Sequence, residues 1–453
     1  MYKRRNVRAG GVWIWIAVLL LAATGCSIDE LLKVNDPDIV TPEQAAGPAA
    51  VPATVAGMVG DFQNSFDNYA IYAALFTDEM ILAGTFPTRI DVDERNVQLD
   101  PNNGTLEADM FGPFQVARES ADRNLASWTG ALDDPAYASV KDDLEEGFAL
   151  ANLYGGYVRA MMAEAYCSVV LEPKGQPVTP EAAMEEALSR LQQTQNVATQ
   201  YGLTDIATAA RVGQARALMY LGRYSEAAAA AASVPEDFVF VAEYSDNQSS
   251  QYNLVHAYTW GVNPFVLRWT VGDGTAGNRH NELWPYFYEW IDQGLLVDDP
   301  PGYEAVEIGI GVALQLAYDA PGMSIPVATG WEAQMDIAEA ELRNGQVAQA
   351  ESRVNGLLAN PALNPLKAVN PDLPLAAFTP VSFTGTLATD LPQMARARAS
   401  GLWLNTDRQA TLRRYYQNDG IDLYPTGTQG SDVSFPIPQQ EIDNNPHVSG
   451  GCG

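Results

Sequence analysis

Positive charge is scarce in this chain: 26 Lys and Arg stand against 56 Asp and Glu over 453 residues, a formal net charge of −30. Nucleic-acid binders draw most of their affinity from phosphates neutralised by a basic face, so this balance excludes that class of partner. It also disfavours strongly anionic ligands. Histidine is scarcer still. His256, His280 and His447 are the whole complement, and neither HExxH nor a paired CxxC occurs, so no metal site and no cofactor is expected. GxSxG and SxxK are missing too, which removes the marked serine nucleophiles. No apolar run reaches the roughly 20 residues a membrane-spanning helix needs.

What is present is an apolar chain under an acidic coat. Hydrophobic residues make up 47% and aromatics number 14 Phe, 9 Trp and 20 Tyr, enough to build a core, so the acidity does not signal disorder. At about 150 residues per domain the length allows two to three domains. The one dense basic cluster, Lys3, Arg4, Arg5 and Arg8, precedes a short apolar run from Val12 to Ala23 and then Thr24, Gly25 and Cys26. These are the parts of a secretory signal. AATGC resembles a bacterial lipoprotein box, so residues 1–25 are expected to be a lipoprotein signal peptide and Cys26 the lipidated first residue of the mature chain. An ordinary signal peptide with an incidental cysteine is the alternative. Several acyl chains, at about 0.8 kcal/mol per buried CH₂, would anchor the protein durably. Residues 1–25 hold four of the basic residues and none of the acidic ones, so their removal takes the formal charge from −30 to −34. Cys167 and Cys452 remain, the right number for one disulfide in an exported protein. Cys167 lies in an apolar stretch read as helical, AYCSVVL, and a buried free thiol is equally compatible.

The organisation that follows is mainly α. Residues 26–52 read as a lipidated tether, with prolines at 37, 42, 48 and 52. Apolar residues recur at helical spacing over 54–82, 107–128 and 141–171. Thr179-Pro180-Glu181 predicts a helix start, and Gly202 its end. Two segments have the pattern of tetratricopeptide helix pairs. One is built on Gly222, Tyr224, Ala227 and Pro235, the other on Gly345, Val347, Ala350 and Pro361. The two glycines are 123 positions apart, so this is no tandem array of about 34 residues per repeat. The expected architecture is irregular tetratricopeptide-like hairpins over 53–235, a loop-rich aromatic insertion over 236–330, and a helical region with a tail over 331–453, whose last helix spans about 392–417.

Chemistry-bearing motifs are few. DVDERN at 91–96 lacks the turn glycine and terminal Glu of a calcium loop and is read as a solvated acidic loop. GDGTAG at 272–277 matches GxGxxG, but Pro285 follows before a helix of two turns could form, so it is read as a turn. Carboxylate pairs for glycoside hydrolysis carry no signal in so acidic a chain. The informative feature is the insertion, where nine aromatics fall between His256 and Trp290. Sugar rings stack on such side chains while amides and charged groups take their hydroxyls. Trp260, Trp269, Trp284 and Tyr286, with Asn263 and Arg279 interspersed, are the candidate ligand-binding residues. Trp260 and Trp284 stand beside turn-forming residues and are the expected exposed rings. The competing reading is that these rings simply pack the insertion against the helices.

Both ends of the chain resemble the SusD/RagB family of nutrient-binding lipoproteins. SIDELLKVNDPDIVTPEQ after Cys26 is similar to the family tether, AEAELRNGQVAQAESRVN at 338–355 to its helix pair, and LWLNTDRQATLRRYYQ at 402–417 to its last helix. FPIPQQEIDNNP at 435–446 matches the family's closing motif nearly residue for residue. Two departures occur: Thr411 stands where an acidic residue usually precedes the double arginine Arg413-Arg414, and Ser400-Gly401 replaces a Glu-Leu. The resemblance implies a lipid-anchored protein on the outer membrane, facing the cell exterior. It would bind a glycan or peptide nutrient without catalysis and pass it to a SusC-like TonB-dependent transporter. A protein-binding periplasmic scaffold and, further off, a glycoside hydrolase are the rival readings.

Overall fold

The computed structural model describes residues 47–77, 79, 80, 82, 86–99, 102–260, 269–271, 296–298, 311–424, 430–450 and 452. The predicted signal segment, Cys26 and most of the tether lie outside them, as do Asn263, Arg279, Trp284, Tyr286 and the GxGxxG match. Among the described residues are fourteen α-helices and five short strands, so the protein is mainly helical, as the sequence predicts.

Helix α1 (Val51–Phe76) is the central rod. From Ser65 onward it is buried on every side, the polar Ser65, Asp67 and Asn68 included. A short helix α2 (Pro87–Asp93) follows. Then α3 (Gly112–Trp128) is entered through one π-helical turn, Leu106–Phe111, in which the Gly112 N–H donates to the Glu107 carbonyl. Helix α4 (Lys141–Ala165) is nearly as buried as α1. It ends earlier than the apolar pattern predicts, and Cys167 sits in extended chain just past it. Thr179 caps α5 (Pro180–Gln200) by accepting from the Ala182 N–H at 3.2 Å. Helices α6 (Thr204–Tyr220) and α7 (Tyr224–Ala231) form the first hairpin, turned at Gly222 with φ +71°.

The first hairpin continues in space onto α9 (Gly330–Arg343) and α10 (Val347–Leu358), turned at Gly345 with φ +76°, because α7 packs directly on α9. The intervening segment leaves and returns at one seam. Strand β1 (Val239–Ala242) pairs antiparallel with β5 (Ile325–Thr329), with Val239 opposite Thr329 and Ala242 opposite Ile325. The register slips at Phe240/Val241, where Pro326 can supply no N–H to the ladder. At the seam the Gly330 N–H donates to the Phe238 carbonyl at 2.7 Å, and a Cβ on Gly330 would stand 2.2 Å from the Pro235 carbonyl oxygen. Only glycine fits there.

The insertion is less irregular than its composition suggests. All five strands fall in it. Helix α8 (Leu254–Thr259) is followed by β2 (Trp269–Val271), β3 (Leu296–Asp298) and β4 (Gly311–Gln315), which form a three-stranded antiparallel sheet in the order β2-β4-β3.

After α10 come α11 (Pro365–Val369), α12 (Leu387–Leu402), α13 (Asp407–Asp419) and α14 (Gln439–Asn444). The single helix expected over 392–417 is therefore two, parted at Trp403–Thr406. Leu404 and Thr406 take φ +58° and +84° there. A buried ion network imposes the break. Arg398 spans from Asp336 on α9 (2.7 Å) to Asp407 at the start of α13, and Arg216 from α6 reaches Glu164 (2.6 Å) and the Thr406 hydroxyl (2.9 Å). In the same core Arg414 pairs with Glu339, which also accepts from Arg343 and from the Tyr415 hydroxyl, each at 2.9 Å. Arg413 instead donates to the Ala163 and Glu164 carbonyls that end α4. The double arginine thus finds partners without the usual acidic positions. Gly401 leaves room for the Trp331 ring, whose atoms would lie 2.5 Å from a Cβ there.

The closing motif is structural. The Phe435 N–H donates to Ala165 and its carbonyl accepts from Cys167, while Asn445 donates to the Gly175 carbonyl at 2.9 Å. Cys167 and Cys452 are disulfide-bonded, with Cα atoms 5.5 Å apart. The acidic segment 91–96 departs from its reading as a solvated loop. Asp93 and Arg95 are buried, the latter donating to the Asp432 carbonyl at 2.9 Å and stacking on Tyr424.

Candidate functional site

The root of the insertion meets α2 at a face built of rings and one guanidinium. Arg89 on α2 lies 4.5 Å over the Tyr258 ring and 5.3 Å from the Phe86 ring, and donates to the Tyr258 hydroxyl at 2.7 Å. Burial would lower the Arg89 pKa, but Tyr72 and Tyr258 outweigh it and raise it. Behind it the Tyr72 hydroxyl donates to Asp109 at 2.6 Å. Phe86 is 40% exposed and Ile90, one turn on, 38%. These residues come from α1, α2, the π-helical turn and α8, Arg89 and Tyr258 being 169 positions apart, and α2 is held in place by a Thr88–Thr105 hydroxyl contact of 2.6 Å and by Asn103 donating to the Thr88 carbonyl.

Trp260 caps the end of α8, two residues on from Tyr258. Its indole N–H donates to the Gln315 carbonyl at 2.9 Å, and its ring lies nearly parallel to His256, centroids 6.5 Å apart. The ring is half-buried. His256 donates from Nδ1 to the Tyr318 carbonyl at 3.0 Å; burial lowers its pKa, against that hydrogen bond. Gln315, fully buried, ties β4 to α8 by donating to Thr259 and Tyr318. A flat, fixed ring with its N–H already engaged presents only its face to a ligand, which suits stacking on the C–H side of a sugar ring. Among the described residues the arrangement offers aromatic faces and the Arg89 guanidinium.

Of the sequence candidates, Trp260 caps α8 against Gln315 and His256, Trp269 lies in β2, and Trp284, Tyr286, Asn263 and Arg279 are outside the described residues. Arg89, Phe86, Tyr72 and Asp109 escaped the sequence reading. The one available signal was Phe86-Pro87, an exposed aromatic at a helix start.

A helical-hairpin scaffold carrying one inserted ring-bearing segment defines a recognisable class. No family model and no curated protein matches the sequence. Among solved structures, a SusD-like protein from Bacteroides fragilis superposes with TM-score 0.63 at 11% identity, over 93% of this chain and all of its own. A SusD superfamily protein from Bacteroides vulgatus gives 0.58 at 12%, over 89% and 98%. Surface glycan-binding protein A from Bacteroides uniformis gives 0.55 at 12%, over 89% and 99%. The chain therefore has the SusD-like fold, from end to end of those proteins.

Proposed function

We propose that this protein binds a glycan at the Phe86–Arg89–Tyr258–Trp260 face, without chemistry, and delivers it to a SusC-like TonB-dependent outer-membrane transporter. Trp269, Trp284, Tyr286, Asn263 and Arg279 would extend the face along the insertion. Lipidation at Cys26 would hold the protein at the outer membrane, facing outward. No described helix is long and apolar enough to cross a membrane. The observation that carries the reading is the ring-and-guanidinium face at the root of the aromatic insertion, on a fold shared with a protein named for glycan binding. The tetratricopeptide-like hairpins would make the protein contact.

Affinity electrophoresis against a panel of neutral polysaccharides tests it. Arg89→Ala and Trp260→Ala are each expected to reduce retention at least fivefold while the melting transition stays cooperative. Retention unchanged in both variants defeats the site, and product release from any polysaccharide defeats the absence of chemistry.

A further inference from the structure

A second cleft opens at the other end of α8. It encloses about 710 Å³, within the range of about 300–1,000 Å³ typical of ligand sites. Gln63, Asn64 and Asp67 of α1 form one side, and Tyr244, Asn247 and Tyr252 of the segment after β1 the other. No lysine or arginine lines it. Tyr244 braces the wall by donating to the Gln63 carbonyl at 3.0 Å.

Asp67 lies at the floor, 2% exposed. Its Oδ2 accepts from the Leu254 N–H at 3.2 Å, while Oδ1 has no hydrogen-bond partner among the described residues. Burial pushes this carboxyl well above the usual range, opposed by the backbone N–H groups of Leu254, Asn68 and Asp67. A neutral carboxyl that accepts on Oδ2 carries its proton on Oδ1, where it is a donor lacking an acceptor, and a buried polar group left so costs free energy. An ionised carboxylate here would lack a counter-cation, which costs more. Asp67 also lines the cleft, so an oxygen brought in by a ligand would supply the missing partner. Amides, hydroxyls and phenol rings, with Glu243 as the second acidic residue and no described cation, match a ligand rich in hydroxyls and without negative charge. The cleft meets α8 at its first residue, Leu254, and Tyr258 stands near its end, on a helix six residues and about 9 Å long.

We propose that this cleft is a second sugar-binding subsite, in which Asp67 donates a hydrogen bond to a hydroxyl of an uncharged glycan whose other end lies on the ring face. The inference rests on the glycan reading above.

Titration calorimetry with disaccharides and hexasaccharides of neutral glucans, xylans and mannans separates the two. Tyr252→Ala and Asp67→Ala are expected to weaken hexasaccharide binding about tenfold and leave disaccharide binding unchanged. Asp67→Asn keeps a donor at the same place and should stay within threefold of wild type. Tyr252 is half-exposed, so its variant answers the question even if Asp67→Ala fails to fold. Hexasaccharide affinity unchanged in Tyr252→Ala and Asp67→Ala overturns the subsite and leaves the ring face intact. A tenfold loss in Asp67→Asn overturns the uncharged ligand, since a charge is then what matters. Wild-type protein that binds no member of the set overturns the glycan reading and the subsite with it.

Discussion

At Glu339 three side chains converge on one buried carboxylate: Arg414, Arg343 and Tyr415. Burial alone would raise its pKa, but Arg414, Arg343 and Arg398 outweigh that and hold it at about 2. A carboxyl held below its unfolded value stabilises fully above about pH 4.5, and that contribution is lost as the pH falls toward 2. Glu339→Gln leaves Arg414 buried beside a neutral amide and should cost about 3–5 kcal/mol at pH 7. Urea unfolding midpoints are expected to show the variant well below wild type at pH 7, with the gap narrowing as the pH is lowered from 4.5. A constant gap at all pH values would mean that the loss is one of shape and not of charge. Little of this was legible. Arg413-Arg414 stood out as a motif, but its partners, 75 residues upstream on α9 and at the end of α4, depend on how the helices stack. Asp67 left a fainter mark, a polar run of Gln63, Asn64, Asp67 and Asn68 in an otherwise apolar helix.

At the scale of elements, local chemistry was readable where it was self-sufficient. Thr179-Pro180 caps α5, and Gly222 and Gly345 stop their helices, because a cap or a positive φ needs no distant partner. The break between α12 and α13 carries no such sign. Leu404 and Thr406 take φ above zero without being glycine, and what holds them is the Arg398–Asp407 and Arg216–Thr406 bonding across the core. The ring face divides the same way. Trp260 and its aromatic neighbours were visible as composition, whereas Arg89 and Phe86 arrive there only through folding. The seam at Gly330 yields a sharp expectation. Alanine there would push a Cβ against backbone carbonyls of residues 235 and 236, which cannot swing aside, and should cost about 3 kcal/mol. Thermal melting with far-ultraviolet dichroism reads it; a loss under about 0.5 kcal/mol would mean the seam can part freely.

For the whole molecule, the Cys167–Cys452 bond closes a loop of 285 residues and fastens the chain's last residues to the end of α4. Cross-linking over so long a loop restricts the unfolded chain, so Cys452→Ser should lower stability by about 2–5 kcal/mol, and wild type in excess reductant should match the variant. Two reactive thiols from these cysteines in the denatured, unreduced protein would refute the linkage. The seam between β1 and β5 has a different kind of consequence. The inserted segment departs and rejoins at adjacent strands while α7 rests on α9 without it, so length added between α8 and β4 need not disturb the helical stack. Evolution can rewrite that portion, in length as well as in sequence, and leave the frame unaltered. One inherited chassis thereby carries an exchangeable cassette.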